Sequence, residues 1–131
     1  MPDQSPAHCL CLDADLYYAH FERRDIGRDS DFGDICVKHC KRCGRHWLEY
    51  LMEYESLTGA GRWIIGVVTD EMAATVTAES ARKMLESLDW YFLGGSAFFG
   101  DIYRSRGRLG PYLEPMPMFP GPRDRVRSCQ Q

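Results

Sequence analysis

No stretch of this chain approaches the roughly 18 consecutive apolar residues that a membrane helix needs. Nor does an apolar signal core follow Met1, because Pro2, Asp3 and Gln4 open a polar start. These two absences predict a cytoplasmic protein that does not engage membranes. They also change how its cysteines read: six cysteines without an export signal suit metal ligation better than a disulfide framework. Signatures of catalysis are missing as well, with no H-E-x-x-H, no G-x-S-x-G and no phosphate-binding glycine loop. Gly94-Gly95-Ser96 reads as a helix exit and not as a nucleophile elbow. His20-Phe21-Glu22 matches half of a zinc-deaminase signature, but His39 stands where that signature requires a proline before Cys40. The chain contains no internal repeat. A non-enzymatic domain is expected.

What is present is ordinary for a folded protein: 131 residues, 44% hydrophobic and 12% aromatic, enough for one domain with a real core. The formal net charge is −3, unevenly spread. Residues 1–100 carry 10 basic and 16 acidic side chains, whereas residues 101–131 carry 6 basic and 3 acidic. An acidic body argues against a surface built for nucleic acid.

The most informative stretch runs from Asp34 to Leu48. Cys40 and Cys43 are separated by two residues and followed at once by Gly44. Two thiolates at that spacing converge on one ion about 2.3 Å from each sulfur, and a glycine frees the backbone to leave the turn. Such a knuckle is half of a tetrahedral site. Cys9 and Cys11 supply the other half, which predicts a four-cysteine structural Zn2+ site of Cys9, Cys11, Cys40 and Cys43. Spacing alone leaves His8, His39, His46 and Cys36 as substitutes for one of the four. Cys129 reads as a free thiol in the tail.

Cys40-Lys41-Arg42-Cys43-Gly44, with Trp47 beyond it, resembles the knuckle of zinc-ribbon and treble-clef proteins. In those proteins a second cysteine pair completes a structural site. The resemblance covers residues 9–48 and implies a zinc role for the four cysteines. It implies no activity, because the motif serves many unrelated functions.

Along the chain, Leu12 to Phe21 reads as a strand and residues 23–33, dense in charge and glycine, as a loop. Asp34 to His39 reads as a second strand. From Trp47 to Glu55 the pattern has period two, with Leu48, Tyr50, Met52 and Tyr54 on one face. Arg62 to Thr69 is rich in β-formers and predicts the partner of a hairpin. Thr77 predicts the cap of an amphipathic helix from Ala78, with Ala81, Met84, Leu85, Leu88 and Phe92 on its apolar face and Gly94-Gly95 at its end. Asp101 to Tyr103 suits a short strand or turn. The five prolines from Pro111 to Pro122 argue against regular structure in the tail. The expected fold is α+β: a small antiparallel β-sheet stapled by the zinc site, with one amphipathic helix packed on it. Residues 1–110 form the domain and 111–131 a Pro/Arg-rich tail.

Glu49, Glu53 and Glu55 share the second face of the Trp47–Glu55 strand. Three carboxylates on a rigid strand would steer a cationic protein partner, and Trp47 beside them would supply an aromatic anchor. The same stripe also fits a merely solvated face. The expected function is therefore a protein-binding domain with a structural zinc, of the immunity or antitoxin type that neutralises a basic partner. The alternative is a zinc-ribbon nucleic-acid-binding or regulatory module using Lys38, Lys41, Arg42 and Arg45.

Overall fold

A computed structural model describes residues 9–30, 33–52, 62–95, 102–107, 109 and 123–127. Its centre is one antiparallel sheet of seven strands: β1 (Phe21–Arg28), β2 (Asp34–Cys40), β3 (His46–Met52), β4 (Arg62–Val68), β5 (Tyr91–Gly95), β6 (Ile102–Ser105) and β7 (Arg123–Arg127). The strands lie side by side in sequence order, so each pairs with the one before and after it. Two short helices, α1 (Asp70–Thr75) and α2 (Ala81–Glu86), occupy the connection between β4 and β5. The chain is mostly β. The antiparallel sheet is as expected, but two single-turn-scale helices replace the one long amphipathic helix.

Alternation sorts the central strands onto two covered faces. Ile35, Val37, Leu48, Tyr50, Ile64, Tyr91 and Leu93 pack with Ala73 and Leu85 of the helices. On the other face, Phe21, Cys40, Trp47, Ile65 and Phe92 pack with Cys9, Cys11 and Ala14 of the N-terminal arm. The arm, residues 9–20, is not the strand expected there: it forms two 3-10 turns, Leu10–Asp13 and Tyr18–His20. Gly66 makes room for the helix layer, since a Cβ there would stand 2.5 Å from Leu88 Cδ1. The β3–β4 hairpin has the expected strands, with Leu48 opposite Gly66 and Tyr50 opposite Ile64.

Three expectations give way to physical causes. Residues 21–28 are an edge strand and not a loop, and edge strands carry dense charge because it discourages pairing with other chains. The register shift at Asp25/Gly27 accommodates a glycine with φ of 145°. Thr69 caps α1 by accepting from the Met72 amide at 3.0 Å, with Asp70 and Glu71 at the positive end of the helix. Thr77 and Ser80 do form a reciprocal cap, Ser80 N–H to Thr77 Oγ1 at 3.1 Å and Thr77 N–H to Ser80 Oγ at 2.9 Å. The helix beyond it stops at Glu86, because Tyr91, Phe92 and Leu93 alternate between the two faces of β5. Finally, Arg123–Arg127 of the expected irregular tail pairs with β6, in a segment that contains no proline.

Candidate metal centre

Cys40 ends β2 and His46 begins β3, so the knuckle is the turn between two paired strands. Gly44, at φ 84°, takes the left-handed conformation that closes it. Its N–H donates to the Cys40 carbonyl at 2.8 Å, and the Cys40 N–H donates to the Arg45 carbonyl at 2.9 Å. On the arm, the Leu12 N–H donates to the Cys9 carbonyl at 2.8 Å and the Ala14 N–H to the Cys11 carbonyl at 3.1 Å. This turn presents both arm thiols to the knuckle. Two further links hold arm to knuckle: the Lys41 N–H donates to the His20 carbonyl at 2.8 Å, and Arg42 Nη1 donates to Asp15 Oδ2 at 3.3 Å.

The four sulfurs of Cys9, Cys11, Cys40 and Cys43 lie within 4.8 Å of one another. Cys9 Sγ is 3.9 Å from Cys40 Sγ, and Cys11 Sγ is 3.6 Å from Cys43 Sγ. A tetrahedron with metal–sulfur bonds of 2.3 Å has an edge of about 3.8 Å. All four cysteines are free thiols. The donor set therefore fits one tetrahedral metal ion, and nothing in it fits a disulfide. Cys11 and Cys40 are fully buried, and Cys43 is partly exposed.

Ionisation around the centre is uneven. Burial opposes charge on Cys43, yet hydrogen bonds from the Arg45 backbone and guanidinium bring its thiol down to about 7. Burial first, then hydrogen bonds to Cys43 and Cys9, holds Cys11 well above the ordinary thiol range. Arg45 follows the knuckle directly, a position the sequence displayed only as one basic residue among several. A partly open cleft of about 290 Å³ adjoins the centre, lined by Leu12, Arg45, Val67, Leu88, Asp89 and Trp90.

No family model, curated protein or solved structure matches this chain. Its own geometry must carry the functional reading.

Of the remaining site residues of the sequence, Trp47 and Glu49 lie elsewhere than expected. Trp47 is fully buried, stacked on Phe92 at 5.8 Å between ring centroids and edge-on to Trp90 at 6.2 Å. It is a core residue and offers no anchor to a partner. Glu49 is not part of a solvated stripe: its side chain is 17% exposed, accepts from Lys38 Nζ at 3.3 Å and from Cys36 Sγ at 3.2 Å. The reason is that β3 is an interior strand with both faces covered, so period-two alternation there separates two cores and not core from solvent. Glu53 and Glu55 lie outside the described residues, as do His8 and Cys129. Cys36, His39 and His46 are not among the converging ligands.

Proposed function

We propose that this chain is a non-enzymatic binding domain in which a structural Zn2+ fixes the N-terminal arm across one face of the sheet. The convergence of four thiols at tetrahedral spacing is the observation that carries this reading. Thiolates are the ligand class of structural zinc, and four of them close the coordination shell, leaving no position for a reacting water. When bound, the ion would supply folding free energy and no chemistry.

The binding surface that the geometry favours is the arm itself. Leu10, Tyr17 and Tyr18 are the large exposed hydrophobic residues among those described, at 55%, 57% and 74% exposure. All three belong to the stapled segment, and the two tyrosine rings lie 4.9 Å apart. Aromatic side chains on a rigid support are the preferred anchors of protein interfaces. A protein partner thus fits better than a nucleic acid. Of the cations the nucleic-acid reading needs, Lys38 is engaged by Glu49, Arg42 by Asp15 and Arg45 by Cys43. An immunity or antitoxin role, with a basic partner, is one form this reading takes.

The test is affinity purification of a partner with the wild-type chain, then reconstitution from the two purified proteins. Replacing Tyr17 and Tyr18 with Ala should abolish the complex while the zinc content stays at one. An undiminished complex, or salt-dependent binding of single-stranded RNA or DNA by the same surface, would sink the reading.

A further inference from the structure

The turn that carries Cys40 and Cys43 also brings two imidazoles together. His39 and His46 are directly paired residues of β2 and β3, with ring centroids 4.9 Å apart and planes 40° from parallel. Alternation places both on the helix side of the sheet, opposite to Cys40 and Trp47. We propose that His39 and His46 form a second metal site, taking one divalent transition ion of the zinc, nickel or copper class through their Nε2 atoms.

Three observations support it. First, a carboxylate faces Nδ1 of each ring, within hydrogen-bond distance for His46 and at ion-pair distance for His39. His46 Nδ1 is 2.8 Å from Asp70 Oδ1, and His39 Nδ1 is 3.8 Å from Glu22 Oε1. A carboxylate accepts only, so in the neutral ring the Asp70 contact selects the tautomer of His46 that carries its proton on Nδ1 and keeps the Nε2 lone pair for a metal. Ligating histidines are oriented by carboxylates in this same manner.

Second, the ring separation suits a shared ion. With metal–nitrogen bonds of about 2.05 Å, about 1.1 Å more to each ring centre and a tetrahedral angle, two imidazoles on one ion sit about 5 Å apart. The observed 4.9 Å matches. Third, the site is open. The side chains are 41% and 27% exposed, and even a Cβ on Gly44 would come no nearer to His39 Nε2 than 4.0 Å. Water would complete the shell. Imidazole nitrogen selects borderline ions, whereas the four thiols on the other face select zinc more strongly, so the two sites fill in order.

Nickel titration of protein already loaded with one zinc separates them. One nickel should bind per chain and broaden the imidazole signals of His39 and His46 before those of His8 and His20. Asp70→Asn, at an exposed position, should weaken nickel binding about tenfold while the thiolate zinc remains. His39→Ala and His46→Ala should each abolish the nickel site, and zinc retained by mass spectrometry would certify their folding. Broadening that begins at His8 or His20, or no uptake at millimolar nickel, would overturn the proposal even if the alanine variants failed to fold. Because zinc content is read separately, failure here leaves the thiolate centre standing.

Discussion

Cys11 Sγ and Cys43 Sγ stand 3.6 Å apart although 32 positions separate them in the chain. One comes from a 3-10 turn with little regular structure around it and the other from a strand connection. Packing and hydrogen bonds hold the arm on the sheet, but a shared ligand would give these two thiols a reason to meet, since one buried and one partly exposed thiol side by side otherwise gain little.

Metal removal should therefore reach the fold. Purified protein is expected to carry one zinc per chain, and Cys11→Ser or Cys43→Ser should lose it. Structural zinc contributes on the order of 10 kcal/mol to small domains. Native mass spectrometry and thermal melts with and without chelator measure both quantities. A chelated wild-type protein with an unchanged melt would remove the structural role.

Trp47 supplies a second test. Its ring is fully buried under the arm, stacked on Phe92 and edge-on to Trp90. Trp47→Ala should cost about 3–5 kcal/mol in urea unfolding, as large-to-small aromatic changes do. Trp47→Phe should cost clearly less, because the stacking partner is retained. Equal losses would mean that the site does not depend on ring packing.

The Lys38–Glu49 pair is mostly buried, with side chains 14% and 17% exposed. Glu49→Gln leaves the Lys38 charge uncompensated at that depth and should destabilise by about 3 kcal/mol. Removing both charges together, as Lys38→Met with Glu49→Leu, should restore much of that loss. A double-mutant cycle with no coupling would show the pair to be inert.

Cys36 differs from the four clustered cysteines. Burial, followed by the charge and hydrogen bond of Glu49, pushes its thiol from 9.0 up to about 12. Alkylation of native protein at pH 8 should spare Cys36, read by peptide mass spectrometry. The sign of the linkage follows: the folded state holds the Cys36 proton more tightly than the unfolded chain. Its contribution is thus complete below about pH 9 and is lost as pH rises toward 12. Cys36→Ala should flatten that alkaline decline.

Much of this fold was legible where composition and pattern agree. The 34–40, 46–52 and 62–68 strands are apolar and β-branched or aromatic, and the thiol pairs carried their own spacing. Segments at the sheet's margins were not legible. Phe21–Arg28 and Arg123–Arg127 satisfy one side of their backbone through a neighbour and carry few apolar side chains, so hydropathy holds no strand signal there. Tyr91 to Leu93 was absorbed into a helix because Leu88 and Phe92 fall at helical spacing. The Thr69-Asp70-Glu71 start of α1 carries a capping signal, but it adjoins the β-rich run that ends at Val68. Glu49 illustrates the opposite difficulty, since a charged residue inside an interior strand looks solvated until its Lys38 partner is known.

The strictly sequential strand order has a consequence for how the chain is made. Every strand finds its partner among the residues just before it, so the sheet can be laid down in the direction of synthesis without waiting for a distant segment. The arm reaches forward: it packs later on Ile65 of β4 and Phe92 of β5, but its thiol partners Cys40 and Cys43 are already in place when β3 has emerged. All four thiols, and the strand pair that presents two of them, lie between Cys9 and Met52. A metal ion can thus close the first part of the molecule while the rest is still being added, giving the growing chain a fixed end on which β4 to β7 are stacked.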